Sequence, residues 1–153
     1  MERVERLRAW LEAHREYTFE LIRIYLGLGL LAKGLWFISN AGAAMELLRG
    51  SAWEVPGALA VSHLVGFAHV AGGALLALGL VTRLAAAVQV PVLLGAVFIV
   101  HLRAGFFGPN PSLEFSLLVL FLLCLCVVHG GGKWSLDAWF ARNWAAQHPT
   151  EAH

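Results

Sequence analysis

Six side chains in this sequence combine reactivity with surroundings that should exclude them. Lys33, His63, His69, His101, Arg103 and Glu114 all lie within or at the edge of long apolar runs. The stretch from Ser62 to Val81 contains no charged residue, yet carries two of the imidazoles and a row of glycines. An ionisable group at such depth is costly unless it faces protein or water. His69 falls about 18 Å along a helix from Gly57, near the middle of a bilayer, and Lys33 about 9 Å from the far end of its own run. Imidazole changes charge near neutrality, so it suits proton transfer, while an ammonium suits a developing negative charge. Together these six residues predict a polar pocket between helices that opens to the outer face of a membrane. The alternative is a collar of separately hydrated groups at the interface.

Other chemistries fit less well. Two facing imidazoles from different helices could hold a haem, and His63 and His101 lie at similar depth. His63 and His69, however, point about 120° apart on one helix and cannot share an axial site. No Cys-x-x-Cys-His motif and no metal-ligand spacing is present. Phosphate-loop, His-Glu-x-x-His and exposed Ser/His/Asp signatures are missing as well. Cys124 and Cys126 sit about 200° apart on a helix, so they cannot bridge each other and read as apolar filler.

The elements that must position these residues are legible from hydropathy. Of 153 residues 59% are hydrophobic and 14% charged, too apolar for an ordinary soluble domain. Four runs carry the excess, at about 18–39, 57–81, 84–102 and 113–129. Each has the length of a membrane span, and in lipid a backbone must satisfy its own hydrogen bonds, so each should be an α-helix. The expected fold is all-α: one integral membrane domain over residues 1–153, a four-helix bundle flanked by interfacial amphipathic helices at 1–16 and 134–147. Residues 1–16 place Val4, Leu7, Leu11 and His14 on one face among arginines and glutamates. They read as a helix on the membrane surface, or as a solvated helix leading into the first span, rather than a cleaved leader. Trp10, Trp134, Trp139 and Trp144 suit the headgroup level.

Small residues mark the packing faces. Arg23, Gly27, Leu30 and Gly34 share one stripe, and Ser62, Gly66, His69, Gly73 and Ala77 another, so close approach of the first two spans is expected. Gln89 should hydrogen-bond to a second helix, and Pro91 should kink the third span. Glu20 and Arg23, near the start of the first span, could pair or snorkel to the surface. A short helix at 43–48 and a Gly/Pro turn at 104–112 connect the spans, and Gly130-Gly-Gly132 should stop the last one.

Four spans put both termini on one side. That side holds Arg3, Arg6, Arg8, Arg15, Arg83, Lys133 and Arg142, against Arg49 and Arg103 opposite. The positive-inside rule then predicts cytoplasmic termini. A net charge of +1 without a basic stripe gives no reason to expect nucleic acid.

Three stretches resemble the DoxX family of small four-helix bacterial membrane proteins. They are Arg23-Ile-Tyr-Leu-Gly27 through Lys33-Gly34; Gly72-Gly73 through Gly79-Leu-Val-Thr-Arg83-Leu-Ala-Ala; and Gly105-Phe106 through Glu114-Phe115, with Gly130-Gly-Gly-Lys-Trp-Ser-Leu-Asp137. The resemblance covers nearly all of residues 19–140. It implies a bacterial inner-membrane protein linked to quinone-dependent sulfur, thiol or oxidative-stress redox chemistry, since a related DoxD protein is a subunit of an archaeal thiosulfate:quinone oxidoreductase. Lys33, Arg83, Glu114 and the Asp137 exit fit the family pattern; His63, His69 and His101 lie outside it. On this reading the chain is a membrane subunit of an oxidoreductase, with the six residues named first at its quinone or substrate site. Arg23, Arg83 and Asp137 would form an inner structural set, and a partner subunit or a second copy would complete the complex. The competing reading is a non-enzymatic scaffold, assembly factor or small-solute carrier. A haem-binding protein comes third.

Overall fold

The computed structural model describes residues 2–13, 15–42, 46, 57–101 and 112–148. Arg103, His14, the return at Trp53 and Pro56, the turn at 104–111 and all but Glu46 of the helix expected at 43–48 lie outside these. Among the described residues the fold is all-α, with no strand. Helices α1 (Glu2–Ala13) and α2 (Arg15–Ser39) are followed by α3 (Ala58–Leu78) and α4 (Thr82–Gly95). A π-helical segment (Ala96–His101), α5 (Ser112–His129) and α6 (Leu136–Gln147) complete the chain. Tyr17–Ser39, Leu59–Leu78, Thr82–His101 and Ser112–His129 are each long and apolar enough to cross a membrane. The chain is therefore a multi-pass helical membrane protein.

The small-residue faces of α2 and α3 meet in an antiparallel crossing. A Cβ at Gly34 would lie 2.6 Å from the amide nitrogen of Val70, and one at Gly73 would lie 2.5 Å from that of Leu31. No side chain fits there, so backbone rests on backbone and dispersion contacts accumulate without a hydrophobic driving force. Helix α4 packs mainly on α5 and joins α3 more loosely, while α2 barely touches α5. Leu26, Leu30, Leu76, Ala86, Leu93, Leu123 and Cys126 form the core between them. Tyr25, Leu64, Phe67, Phe121 and Val128 point outward, as lipid-facing positions should.

Gly72 and Gly73 serve two neighbours. Gly73 meets α2, while the side chain of Gln89 lies over Gly72 and donates from Nε2 to the carbonyl of Ala68 at 2.9 Å. This is the interhelical bond expected of Gln89. Helical geometry continues through Pro91 to Gly95 before widening into the π-helical segment. Such wide turns often accompany functional sites, and here the turn re-aims His101 relative to an unbroken α-helix.

The turn between α3 and α4 is a Schellman motif. Gly79 (φ 69°) donates to Leu76 O and Leu80 donates to Leu75 O, satisfying two carbonyls at the end of α3. Val81 follows at φ 46°, an unfavourable conformation for a β-branched residue. Its support comes from α6, as described next.

Candidate functional site

Polar side chains gather at two levels. At the end of the bundle that carries the termini, Glu20 and Arg23 are 2% and 0% exposed, so neither snorkels. Glu20 Oε1 accepts from the backbone N–H groups of Lys133 (2.5 Å) and Trp134 (3.0 Å). Arg23 donates from Nη1 to Leu76 O and Ala77 O and from Nη2 to Trp134 O. One turn of α2 therefore fastens both the end of α3 and the glycine-rich exit from α5. Gly132 (φ 72°) makes this possible, since a Cβ there would lie 2.7 Å from Glu20 Oε1.

Asp137 works from the opposite side. Its carboxylate accepts from Val81 N–H (2.8 Å), Thr82 N–H (3.2 Å) and the Thr82 hydroxyl (3.4 Å). A carboxylate at a helix N-terminus is favoured by the unpaired amides and by the dipole, so α6 caps α4 across the turn. Asp137 N–H in turn donates to Gly79 O at 3.1 Å. Ser135 caps α6 itself, accepting from Ala138 N–H at 3.1 Å and donating to Gly132 O at 2.7 Å. Arg83 lies exposed with its guanidinium on Val128 O at 3.2 Å. All of these contacts but the one between the Thr82 hydroxyl and Asp137 fix backbone. The arrangement is a lock that sets how α2, α3, α4 and α6 meet.

The other level lies toward the opposite end. His69 is 6% exposed on the inward face of α3, with the backbone of Val65, one turn back on the same helix, as the polar group nearest its ring. The Phe37 ring lies 6.4 Å from the imidazole, centroid to centroid. Lys33 is exposed on α2, with its Nζ 4.8 Å from the centre of the Trp36 ring and 5.3 Å from that of Phe37. Such cation–π contacts hold an ammonium where water is scarce. The Lys33 charge acts on both His69 and His101, so α2, α3 and the π-helical segment contribute to one electrostatic neighbourhood. Glu114 stands in the first turn of α5. His63 differs from the others: it is exposed beside Leu64 and Phe67, and its Nδ1 contacts Leu59 O of its own helix at 2.8 Å.

Three of the six candidate residues thus share a neighbourhood, while His63 turns away from it. Thr82 and Ser135 were absent from the inner set, and Glu20, expected to pair with Arg23 or snorkel, has partners that the sequence did not suggest. For Ser135 there was a signal, a hydroxyl directly before the α6 pattern. For Glu20 there was none, because its partners are backbone amides more than a hundred residues along the chain. Among the described residues no group of three or more His, Cys, Asp or Glu side chains is placed to hold a metal ion.

The family described as DoxX matches residues 19–102. A protein of Mycobacterium tuberculosis described as an uncharacterized membrane protein is 30% identical over 129 residues, covering 76% of this chain and 77% of that relative. No solved structure matches the chain.

Proposed function

The chain belongs to the DoxX family, and from that premise we propose that it is a membrane subunit of a quinone-linked oxidoreductase. The observation that supports this reading most is the meeting of an ammonium, two aromatic rings and a buried imidazole at Lys33, Trp36, Phe37 and His69. A quinone head needs an apolar slot, flat walls and donors at its carbonyl oxygens, and these residue types supply all three. When bound, the quinone would supply the redox chemistry, with electrons delivered from a partner subunit. Lys33 would hold negative charge at a carbonyl oxygen. His69 would hold or release a proton. His101 and Glu114 would stand nearer the mouth, with His63 beside it or at the lipid interface.

The positive-inside rule supports cytoplasmic termini in a bacterial inner membrane, so the site would open outward. Binding of a soluble quinone analogue to the purified protein, followed by quenching of Trp36 fluorescence, tests the reading. Lys33→Ala and His69→Ala should each weaken binding by about tenfold, the loss of roughly 1.4 kcal/mol expected for one hydrogen bond to a charged or polar donor. Unchanged binding in both variants refutes the site.

A scaffold or assembly role has an observation of its own. Trp139, Phe140 and Trp144 on α6, like Val4, Leu7 and Trp10 on α1, are apolar and exposed. A stoichiometric protein partner, recovered with a chain that binds no quinone, would favour that role.

A further inference from the structure

Helix α6 is fastened to the bundle at one end only. Ser135 caps its first turn, Asp137 N–H donates to Gly79 O at 3.1 Å, and the Asp137 carboxylate accepts from Val81 N–H at 2.8 Å. Leu136, Asp137 and Ala138 are half-buried, whereas every residue from Trp139 to Gln147 is exposed. A helix of 12 residues is marginal in water on propensity alone, so packing of one face must supply the rest of its stability. That face carries Trp139, Phe140 and Trp144, which line an open groove along the helix together with Asn143 and Gln147. At about 100° per residue the three rings span a sector roughly 140° wide.

Depth, charge and polarity together identify what covers this sector. Residues 79–81 form the turn between two membrane spans, so the bonds of Asp137 to Gly79 and Val81 hold the start of α6 at the membrane surface. Between His129 and Gln147 the charged residues are Lys133, Asp137 and Arg142, and the Asp137 carboxylate is taken up by Val81 and Thr82. Arg142 flanks the aromatic sector, about 60° around the helix from Trp139. Its Nη1 lies on Lys133 O at 3.3 Å. Arg83 reaches the same exit from α4. It bonds to Val128 O and lies across Gly130, where a Cβ would come 3.2 Å from its Nε. Both arginines are exposed, and among the described residues neither pairs with a carboxylate. Asn143 and Gln147 fall inside the aromatic sector. A dry protein interface would strip water from both amides, whereas the headgroup and ester layer of a bilayer offers them partners beside apolar chain.

We propose that α6 docks on anionic phospholipid in the leaflet on the side of the termini. Trp139, Phe140 and Trp144 sink into the ester layer, while Arg142 and Arg83 hold headgroup phosphates. Cations beside an apolar sector keep their charged ends at phosphate level with their stems along the acyl chains. Their charge goes unmatched on zwitterionic headgroups, so lipids of net negative charge are preferred. Seating α6 also steadies Asp137, and with it the cap on Val81 and Thr82. Lipid bound at the surface therefore tightens the turn that joins α3 to α4. The docking needs no quinone, and its test stands apart from quinone binding.

The test is hydrogen exchange of the full-length protein in bilayer discs of phosphatidylcholine, with and without phosphatidylglycerol. Phosphatidylglycerol should slow exchange at the amides from Trp139 to Gln147 and at Val81 and Thr82, and added salt should reverse the effect. Arg142→Gln and Arg83→Gln should each reduce the gain in protection about fivefold, as expected for one cation at an anionic surface. Arg6→Gln should leave it unchanged, because that exposed arginine is already paired with Glu2 at 3.6 Å. Asp137→Ala should retain the gain along α6 and lose it at Val81 and Thr82. Equal protection in the two lipids overturns the proposal, as does a gain that neither arginine variant reduces. Amides of α6 that stay unprotected in both lipids overturn it as well, and leave the face to a protein partner.

Discussion

Replacing Gly34 by alanine should separate α2 from α3. The added Cβ would lie 2.6 Å from Val70 N, 2.7 Å from Gly66 O and 2.8 Å from Val70 Cγ2, whereas ordinary contact begins near 3.4 Å. Two of the three obstacles are backbone atoms of a continuous helix, so the methyl cannot be accommodated by a rotamer change. The helices must part locally by about 0.8 Å, the shortfall between 2.6 and 3.4 Å. A gap of that size forfeits roughly a quarter to a half of the dispersion energy of each contact along the crossing. Overpacking of this kind costs about 1–3 kcal/mol. Gly29 supplies the control on the same helix, because nothing lies within 4 Å of a Cβ built there. Gly29→Ala should be neutral or stabilise by about 0.5–1 kcal/mol through helix propensity. Unfolding in mixed detergent micelles, followed by tryptophan fluorescence, should then separate the two variants by about 2–3 kcal/mol. If Gly34→Ala proves as stable as Gly29→Ala, the backbone-on-backbone crossing is not what holds these helices together.

Three further substitutions address the polar contacts. Arg23→Met removes every bond to Leu76, Ala77 and Trp134 and leaves their carbonyls to find other donors. A loss of about 3–5 kcal/mol, the range for breaking a buried charged network, should appear in the same unfolding assay, and Arg23→Lys should recover only part of it. Asp137→Ala strips the cap from Val81 and Thr82. It should cost about 1–2 kcal/mol, with earlier hydrogen exchange at the start of α4 as its local signature. Gln89→Leu removes one bond to Ala68 O together with the unpaired Oε1, so its effect in the same unfolding assay should stay within about 1 kcal/mol.

How much could be read in advance follows from the range of each signal. The four spans are carried by the composition of 20-residue windows, and hydropathy reports those directly. The α2–α3 crossing is carried by glycines at helical spacing, and those stripes did locate both faces. Gln89 was legible too, because a lone amide in an apolar helix has few options besides another helix. Glu20 was not. Its neighbours in sequence suggest a surface residue at the start of a span, and its actual partners are the amides of Lys133 and Trp134. Periodicity ranks faces of a helix, but cannot say which distant loop will fold over one of them. His63 shows the same limit from the other direction. An imidazole six residues from His69 was placed in the same pocket, but the bond to Leu59 O turns its ring along its own helix among lipid-facing side chains.

The two polar levels are built on opposite principles, and that contrast bears on function. At the end with the termini, Glu20, Arg23 and Asp137 bond to backbone, and the unfavourable φ of Val81 is held in place by that network. Such an end is suited to fixing helix positions, because any movement breaks several bonds to charged groups at once. At the other end Lys33 rests on aromatic rings, His69 lies buried beside Phe37, and the third span widens to a π-helical turn toward His101. Cation–π contacts are worth about 0.5–2 kcal/mol and can be exchanged for a ligand without dismantling the fold. A bundle locked at one end and looser at the other can bind a small molecule while its helices stay in register. Removing the Lys33 ammonium should therefore leave the unfolding transition nearly unmoved, whereas charge-removing changes at Glu20 and Arg23 should shift it strongly. The opposite ranking in the micelle assay would mean that the outer residues are structural and that the site must be sought elsewhere.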